Sequence, residues 1–585
     1  MGEYPRFDVC ELGERMHYRL RTSLVLAALV FGLTASATAR DQASFERLAG
    51  DILNTFQEFY PVQATAKGIH TYDDRLTDYS SGAVRKMRDK LTDYTKELYK
   101  YRNYKFSVDA GIDYKLIRSN VEMALMDLRE VKRHTKAPQV YVDDAIDGVY
   151  LLLLSQHAPM EGKLDAILGR IRSVPELFKT ARQNLQKPPP LWIDLAIERL
   201  DAGVLFYQQV GGELMRQFPD RADEILRLVT KAREAMSDFT VFLNDIQRGE
   251  PGSFAVGKKN FDYILSHYYF LPYDSDSLLH MGETLLAEAD STYRAYRDYV
   301  EENRQNGVDS VFVPASFIRQ DILDYYQWEV AQEEVFLTAH DIVTVPDDLA
   351  PVEVVETPPF LRSLIGGIAY QPAGPFDEVQ KGVFYIRPVP DDLDEAQLAA
   401  RYRYVYRRGF KGSVVHEALP GHHLQMQIAG HNPSAVRKWQ ENPLLVEGWA
   451  LYCEEMMYHA GLYGKEDPAQ WLGVLGGIRF RAARIVADVK LHTGRFSYQE
   501  AVDWMCDVLE AETEGAKDYH RTMVRKYTTQ PGYYMTYLTG KKEIESLMAD
   551  YEARAGENFS EKEFYDRLLE QGSIPPALIR EAFGL

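Results

Sequence analysis

The residues with the most chemistry to offer lie in one stretch, Val414-Val415-His416-Glu417-Ala418-Leu419-Pro420-Gly421-His422-His423-Leu424-Gln425, with Glu447 following 25 positions after His422. Neutral imidazole and carboxylate are ligands that zinc and other first-row metals accept, so this stretch can hold an ion with a carboxylate base beside it. Helical metallohydrolase sites carry HExxH, two histidines four apart on one face with a glutamate next to the first. Here the fourth position after His416 is Pro420, and the literal pattern fails.

Geometry limits which histidines can meet. On an unbroken helix His416 and His423 face the same way but stand about 10.5 Å apart along the axis, too far for one ion with ligand nitrogens at about 2.0–2.1 Å. His422 would point about 120° away. Pro420 cannot donate to the His416 carbonyl, and Gly421 after it carries no side chain to restrict the backbone. A bulge or break is therefore forced. Looping out two residues at Ala418-Leu419-Pro420 would move His422 to the place of a second HExxH histidine. The third ligand candidate is Glu447. Asn442-Pro443 reads as an N-cap with proline at the first helical position, and the helix runs from Leu444 to His459 with a stop at Gly461. Glu447 sits in its first turns, and Gly448 leaves room for a second helix to pack closely. Glu454 and Glu455, two turns on, read as solvated or ion-paired residues, one of which can act from behind a ligand. Seven of the 14 histidines fall between 416 and 520. The pair His422-His423 beside a break is costly to explain as packing.

HEALPGHHLQ followed by Val446-Glu447-Gly448-Trp449-Ala450 resembles the bacterial family catalogued as domain of unknown function 885, which is itself similar to the gluzincin metallopeptidases. The likeness extends over nearly the whole chain after its leader. Pro61, Ala64, Gly68, His70, Tyr72 and Asp73 in PVQATAKGIHTYDD match the family's opening pattern, and Arg479 to His492 and Gln530 to Gly540 match its closing blocks. One departure is Tyr533-Tyr534, where family members often carry Gln-Ala. The resemblance implies His416, His422 and Glu447 as ligands of one zinc ion per chain and Glu417 as general base. A tetrahedral intermediate needs a further donor. Tyr537 and His492, both in the closing blocks, are the candidates, with Arg484 and Asp488 behind them. Tyr537 is also one of 38 tyrosines, and His492 can simply sit near a helix C-terminus. His423 and Gln425 are expected to support the site from outside the ligand set.

The elements that position these residues are helical. From Gln42 to His340 apolar residues recur at spacings of three and four, predicting helices over Ala83 to Tyr101, Ala110 to Val131, Leu164 to Leu185, Ala222 to Ile246 and Leu278 to Val300. Pro188-Pro189-Pro190 and Gly249-Glu250-Pro251-Gly252 punctuate them. The segment Asp341 to Pro359, rich in Pro, Val, Asp and Glu, interrupts the pattern like a linker. Ile368-Ala369-Tyr370 and Gly382 to Arg387 have strand composition, with Pro372-Ala373-Gly374-Pro375 between, and predict a small hairpin or edge strand shortly before the metal-site helix. Such a strand either covers the helical body or offers its backbone to an extended peptide. The expected architecture is mainly α, a large multi-helix gluzincin-like body with a deep cleft. An N-terminal helical region over 40–340 and a catalytic helical region over 341–585 form one continuous fold.

The first 39 residues read as a secretory signal: Arg19 and Arg21, the apolar run Leu24 to Leu33, and Ala37-Thr38-Ala39 as the cleavage site. That run is too short to span a bilayer. The acidic stretch before Met16 fits poorly, so Met16 is an alternative start. No cysteine lies at the cleavage site to carry a lipid anchor. A periplasmic or secreted protein is expected. Cys10 leaves with the leader, and Cys453 and Cys506 make no disulfide framework. The net charge of −20 disfavours nucleic acid and anionic lipid as partners. These features point to a zinc peptidase acting on oligopeptides, since helical walls exclude folded proteins. A non-catalytic peptide- or solute-binding protein, and a metal hydrolase of other amides or esters, are the alternatives. Oligomeric state is not legible.

Overall fold

Apolar residues at helical spacing become helices where a side chain caps the first turn. The Ser80 hydroxyl accepts from the Ala83 N–H at the start of Ser81–Tyr99, and Ser107 does the same for Ala110 at the start of Val108–Met126, each satisfying an N–H that has no partner inside its helix. Val108–Met126 continues as a π turn over Asp127–Val131, which ends where Lys132 turns left-handed at φ 55°. Met160–Asn184, Ala222–Asp245 and Ser275–Asn303 fall where the spacing predicts, and Pro190 opens the helix Pro190–Gln217. The computed structural model describes residues 42–303, 319–362, 365, 367–388, 393–398, 410–464 and 468–585. The expected leader over 1–39 and the alternative start at Met16 lie outside them. No helix among the described residues is long and apolar enough to cross a membrane.

Among the described residues three strands interrupt the helices. Strand β1 is Val352–Glu356, β2 is Ile368–Gln371 and β3 is Gly382–Ile386. β2 and β3 form the expected antiparallel hairpin, with Tyr370 opposite Phe384. β1 pairs in parallel with β3, Val354 opposite Phe384, so the order is β1-β3-β2. The segment expected to be a linker thus contributes a strand, because Val352, Val354 and Val355 are β-branched residues that fit a pleated, half-buried surface. β3 is buried throughout, and its side chains alternate between two cores. Phe384 and Ile386 pack with Phe45, Val415, Trp449 and Ile579. Val383 and Tyr385 pack with Tyr141, Ile146 and Phe206. The first of these cores joins residues from both sides of position 340. A third core surrounds Pro468–His492. β2 remains at the sheet edge.

Two backbone contacts hold the helices that carry the site. The helix Pro443–His459 crosses Thr536–Ala555 at Gly448 and Gly540. A Cβ on Gly448 would stand 2.5 Å from the Gly540 carbonyl carbon, and one on Gly540 would stand 1.9 Å from the Leu444 oxygen. Main chain meets main chain there, so nothing flexible can yield. The opening pattern builds a second tie. His70 Nδ1 is 2.7 Å from Asp73 and its Nε2 is 2.8 Å from Asp377, in the loop between β2 and β3. Asp73 also accepts from Thr65 at 2.5 Å. Burial pulls the His70 imidazole down, but its bonds to Asp377 and Asp73 outweigh that and push it up to about 9.

Gly540→Ala is therefore expected to destabilise the fold by about 3 kcal/mol or more, at the upper end of overpacking costs, as measured by urea denaturation. His70 has a folded pKa above its ordinary 6.5, so its contribution is complete below pH 6.5 and is lost as pH rises through about 9. Unfolding free energy should fall by roughly 1–2 kcal/mol over that window after discounting for solvent screening, and His70→Asn should flatten the slope.

Candidate metal centre

The helix Phe410–Glu417 stops at Glu417, and a second helix, His422–Gly430, begins after four intervening residues. Between them the Leu419–Pro420 peptide is cis. The N–H groups of Ala418 and Leu419 both donate to the Val414 carbonyl, at 2.7 and 3.2 Å, and Gly421 N–H donates to Val415 at 3.0 Å. The chain therefore folds back on its own last turn. A Cβ on Gly421 would lie 2.0 Å from the His416 oxygen and 2.3 Å from that of Val415, so only glycine fits. Trp449, fully buried, donates its indole N–H to the Pro420 carbonyl at 2.8 Å. The sequence requires a bulge or a break at this point. The structure has the break, because the proline has no N–H to continue the ladder and the glycine permits the reversal.

The break brings His422 to His416. Their rings stand 4.8 Å apart at 83°, and both Nε2 atoms lie 3.6 Å from Oε2 of Glu447. Those separations are too long for hydrogen bonds. Ligand atoms at about 2.0–2.1 Å on a tetrahedron stand roughly 3.4 Å apart, so they suit a shared ion. The Glu447 Oε2 atom is buried and has no hydrogen-bond partner, which is costly for a carboxylate unless a cation takes it up. All three residues are less than a tenth exposed. The donor set and spacing thus fit zinc. Burial opposes ionisation of Glu447, yet the two imidazoles hold its carboxyl well below the usual range.

Other side chains fix the ligands from behind. Glu454 Oε1 lies 2.9 Å from His416 Nδ1 and accepts from Arg481 at 3.0 Å. Its side chain is 12% exposed and ion-paired to Arg481, and Glu455 pairs with Lys541. Burial alone would lower the His416 imidazole, but Glu447 and Glu454 push it up to about 10. The Tyr533 hydroxyl donates to Oε1 of Glu447 in a short hydrogen bond. Tyr537 stacks on His416, with ring centroids 6.3 Å apart and planes 12° apart. Glu417 is buried next to both histidines. Burial raises its pKa, His416 and His422 pull it back, and a hydrogen bond with the Tyr370 backbone also lowers it.

The remaining expected residues take other places. His423 donates from Nε2 to the Ala350 carbonyl at 2.7 Å, so its Nδ1 accepts from the Tyr370 hydroxyl at 2.8 Å. Burial drives that imidazole down to about 4, and this neutral ring pins β2 to the second helix. Gln425 is fully buried and donates to Ser573 at 2.8 Å, which anchors that helix to the C-terminal segment. His492 joins none of the triad's contacts. Its Nε2 donates to the Tyr527 carbonyl at 2.9 Å, and its ring lies 6.2 Å from those of Phe254 and Phe261 in the third core. Burial pushes its pKa down to about 4. It is a core histidine, because the end of its helix is packed on all sides. Asp488 accepts from the N–H groups of Gly532 and Met535, each at 3.0 Å. It builds the turn that presents Tyr533. The Arg484 guanidinium lies 4.8 Å from the Tyr537 ring centre and donates to the Tyr527 hydroxyl at 3.1 Å, so it holds the phenol ring in place.

Sequence reasoning missed Tyr533, Tyr370 and Arg481 as contacts of the centre. Tyr533 precedes Tyr537 by four positions in the same closing block, which was the available signal. A cavity of about 660 Å3 runs against the centre, and Tyr370 and Tyr533 are on its wall. A second cavity of about 600 Å3, between Asp109, His431 and Asp566, is lined by none of the centre's residues.

A family model described as "Bacterial protein of unknown function (DUF885)" matches residues 61–583. Among curated proteins none matches the chain. Two solved structures share the fold. One is a candidate lipoprotein of unknown function from Shewanella oneidensis, with 19% identity, a TM-score of 0.73, and coverage of 92% of this chain and 99% of that one. The other is a candidate lipoprotein from Colwellia psychrerythraea, with 17% identity, a TM-score of 0.72, and coverage of 93% and 98%.

Replacing Glu454 by Gln removes the anionic acceptor behind His416. Zinc affinity, measured by competition with a chromophoric chelator, is expected to fall by about 10- to 100-fold. Wild-type affinity in that variant would mean that the carboxylate does not support a ligand.

Proposed function

The chain belongs to the bacterial DUF885 family, and we propose that it is a zinc-dependent peptidase acting on oligopeptides. The observation that carries this reading is the buried, otherwise unpartnered Glu447 Oε2, equidistant from two imidazole nitrogens with Glu417 next to them in the chain. His416, His422 and Glu447 would hold the ion. Zinc bound there would lower the pKa of water to about 7 and polarise a carbonyl.

The chain's own residues supply the rest. Glu417, kept from bulk water by its burial, accepts the proton of the attacking water and passes it to the leaving amine. Glu454 holds the Nδ1 proton of His416, which fixes the tautomer that leaves Nε2 free. Tyr533 orients the ligating carboxylate through its other oxygen. The Tyr537 phenol, beside His416, is the donor best placed for negative charge on the substrate oxygen. A peptide rather than another amide is supported by β2, an edge strand whose Tyr370 backbone reaches Glu417. An extended chain can add to such an edge through main-chain hydrogen bonds. The names of the two similar structures, both candidate lipoproteins of bacteria, support an envelope location, and the leader expected over 1–39 makes it periplasmic or secreted.

Protein purified with supplemental zinc should carry about one equivalent per chain and cleave members of a peptide library read out by mass spectrometry. Glu417→Gln should keep the metal and lose roughly 10²- to 10⁴-fold in rate. Unchanged turnover in that variant would sink the mechanism. Less than about 0.1 equivalent of any transition metal would instead favour a binding protein with a degenerate site.

A further inference from the structure

The cavity beside the centre has a marked chemistry of its own. Along the helix Gln139–Leu154, Asp143, Asp144 and Asp147 lie within about one turn of one another, and Asp144 and Asp147 are on the cavity wall. One guanidinium serves two of them: Arg199 Nε is 2.7 Å from Asp143, and its Nη2 donates to Asp147 at 2.6 Å. Asp144 accepts the Thr77 N–H at 3.1 Å and forms no ion pair among the described residues. Arg170 lies behind it but spends its donors on the carbonyls of Arg75, Gly148 and Pro61 and on the Thr65 hydroxyl. Among the described residues no Lys, Arg or His lines the cavity, and Arg199 is the cation ion-paired to this group of three carboxylates. Burial pushes Asp144 up to about 6, against the lowering effect of the Thr77 hydrogen bond and of Arg170. Thr77, 4% exposed, is on the same wall, and its buried hydroxyl has no hydrogen-bond partner among the described residues.

The aromatic residues point to the same class of ligand. Tyr60, Tyr150 and Tyr385 line the cavity together with Tyr370 and Tyr533, and the face of a tyrosine ring attracts a desolvated cation. The volume falls within the range of small-molecule sites, about 300–1,000 Å3. Tyr533 is bonded to Glu447, and the Tyr370 backbone to Glu417, so the cavity adjoins the centre through two of its wall residues.

We propose that the cavity walled by Tyr60, Thr77, Asp144, Asp147, Tyr385 and Tyr533 is the subsite for a cationic group of the substrate, an ammonium or guanidinium seated against Asp144. This rests on the reading of the His416–His422–Glu447 centre as the place where the substrate is held. The cation has two possible sources, the free α-amine of a peptide and a basic side chain.

The test uses the zinc-loaded full chain carrying Glu417→Gln, which binds without cleaving, and four peptides of one sequence. These are the parent with a free amine and one lysine, its N-acetylated form, its norleucine form, and the form with both changes. By calorimetry the parent should bind at least roughly 10-fold more tightly than the doubly changed peptide. A loss on acetylation identifies the α-amine, and a loss on norleucine replacement identifies the side chain. Adding Asp144→Asn should collapse the ratio toward one, and Asp144→Glu should retain most of it. Equal affinities for all four peptides, no binding of any, or a ratio that survives Asp144→Asn would overturn the proposal. The wild-type protein separates this from the hydrolytic reading. Binding with the charge preference but no cleavage would defeat hydrolysis alone, and cleavage without regard to charge would defeat the cation subsite alone.

Discussion

Everything at the centre depends on how closely the backbone of Gly421 lies against the carbonyls of Val415 and His416. A side chain of any size would occupy the space of those oxygens, so the reversal that carries His422 back to His416 is available to glycine alone. A comparable contact between Gly448 and Gly540 sets where Glu447 stands relative to Tyr533 and Tyr537. Both are contacts of main chain with main chain. The positions of the proposed ligands are therefore imposed by rigid backbone, and side-chain packing, as with Trp449 on the Pro420 carbonyl, locks an arrangement already chosen.

Buried charge in this protein is organised around that scaffold. The series Arg481, Glu454, His416 and the paired set Tyr533, Glu447 satisfy nearly every polar atom near the triad. The exceptions include Oε2 of Glu447 and Nδ1 of His422, on two of the proposed ligands, and Nε of Arg481. Burying so many ionisable groups is tolerable only if each has a partner. The unpartnered carboxylate oxygen is thus more informative than the satisfied groups around it. The same reasoning applies on the cavity wall at Asp144, which forms no ion pair among the described residues.

The opening pattern acts on the centre from a distance. His70 joins Asp73 to Asp377, 307 residues on, and Asp377 sits in the loop that connects β2 to β3. The strand edge that meets Glu417 is in this way held from one side by His423 and from the other by a charged clamp. A motif near the start of the chain and one near position 420 meet on a hairpin of ten intervening residues, 372–381.

The sequence by itself determined the periodic and the punctuated parts. Helices over Ala222–Asp245 or Pro443–His459 follow from apolar spacing, an N-cap and a proline at the first position, all local effects. The pairing of His416 with His422 was legible for the same reason, since Pro420 and Gly421 act on the backbone within one turn. Only the tertiary structure decided the rest. β1 was hidden in a stretch rich in Pro and Asp because a strand is defined by its partner, here β3. His492 and Tyr533 were indistinguishable in sequence as a histidine and a tyrosine of the closing blocks. Packing turned the first into the core against Phe261 and the second onto Glu447. Which side chain reaches a site depends on contacts between residues far apart in the chain, and no local pattern encodes them.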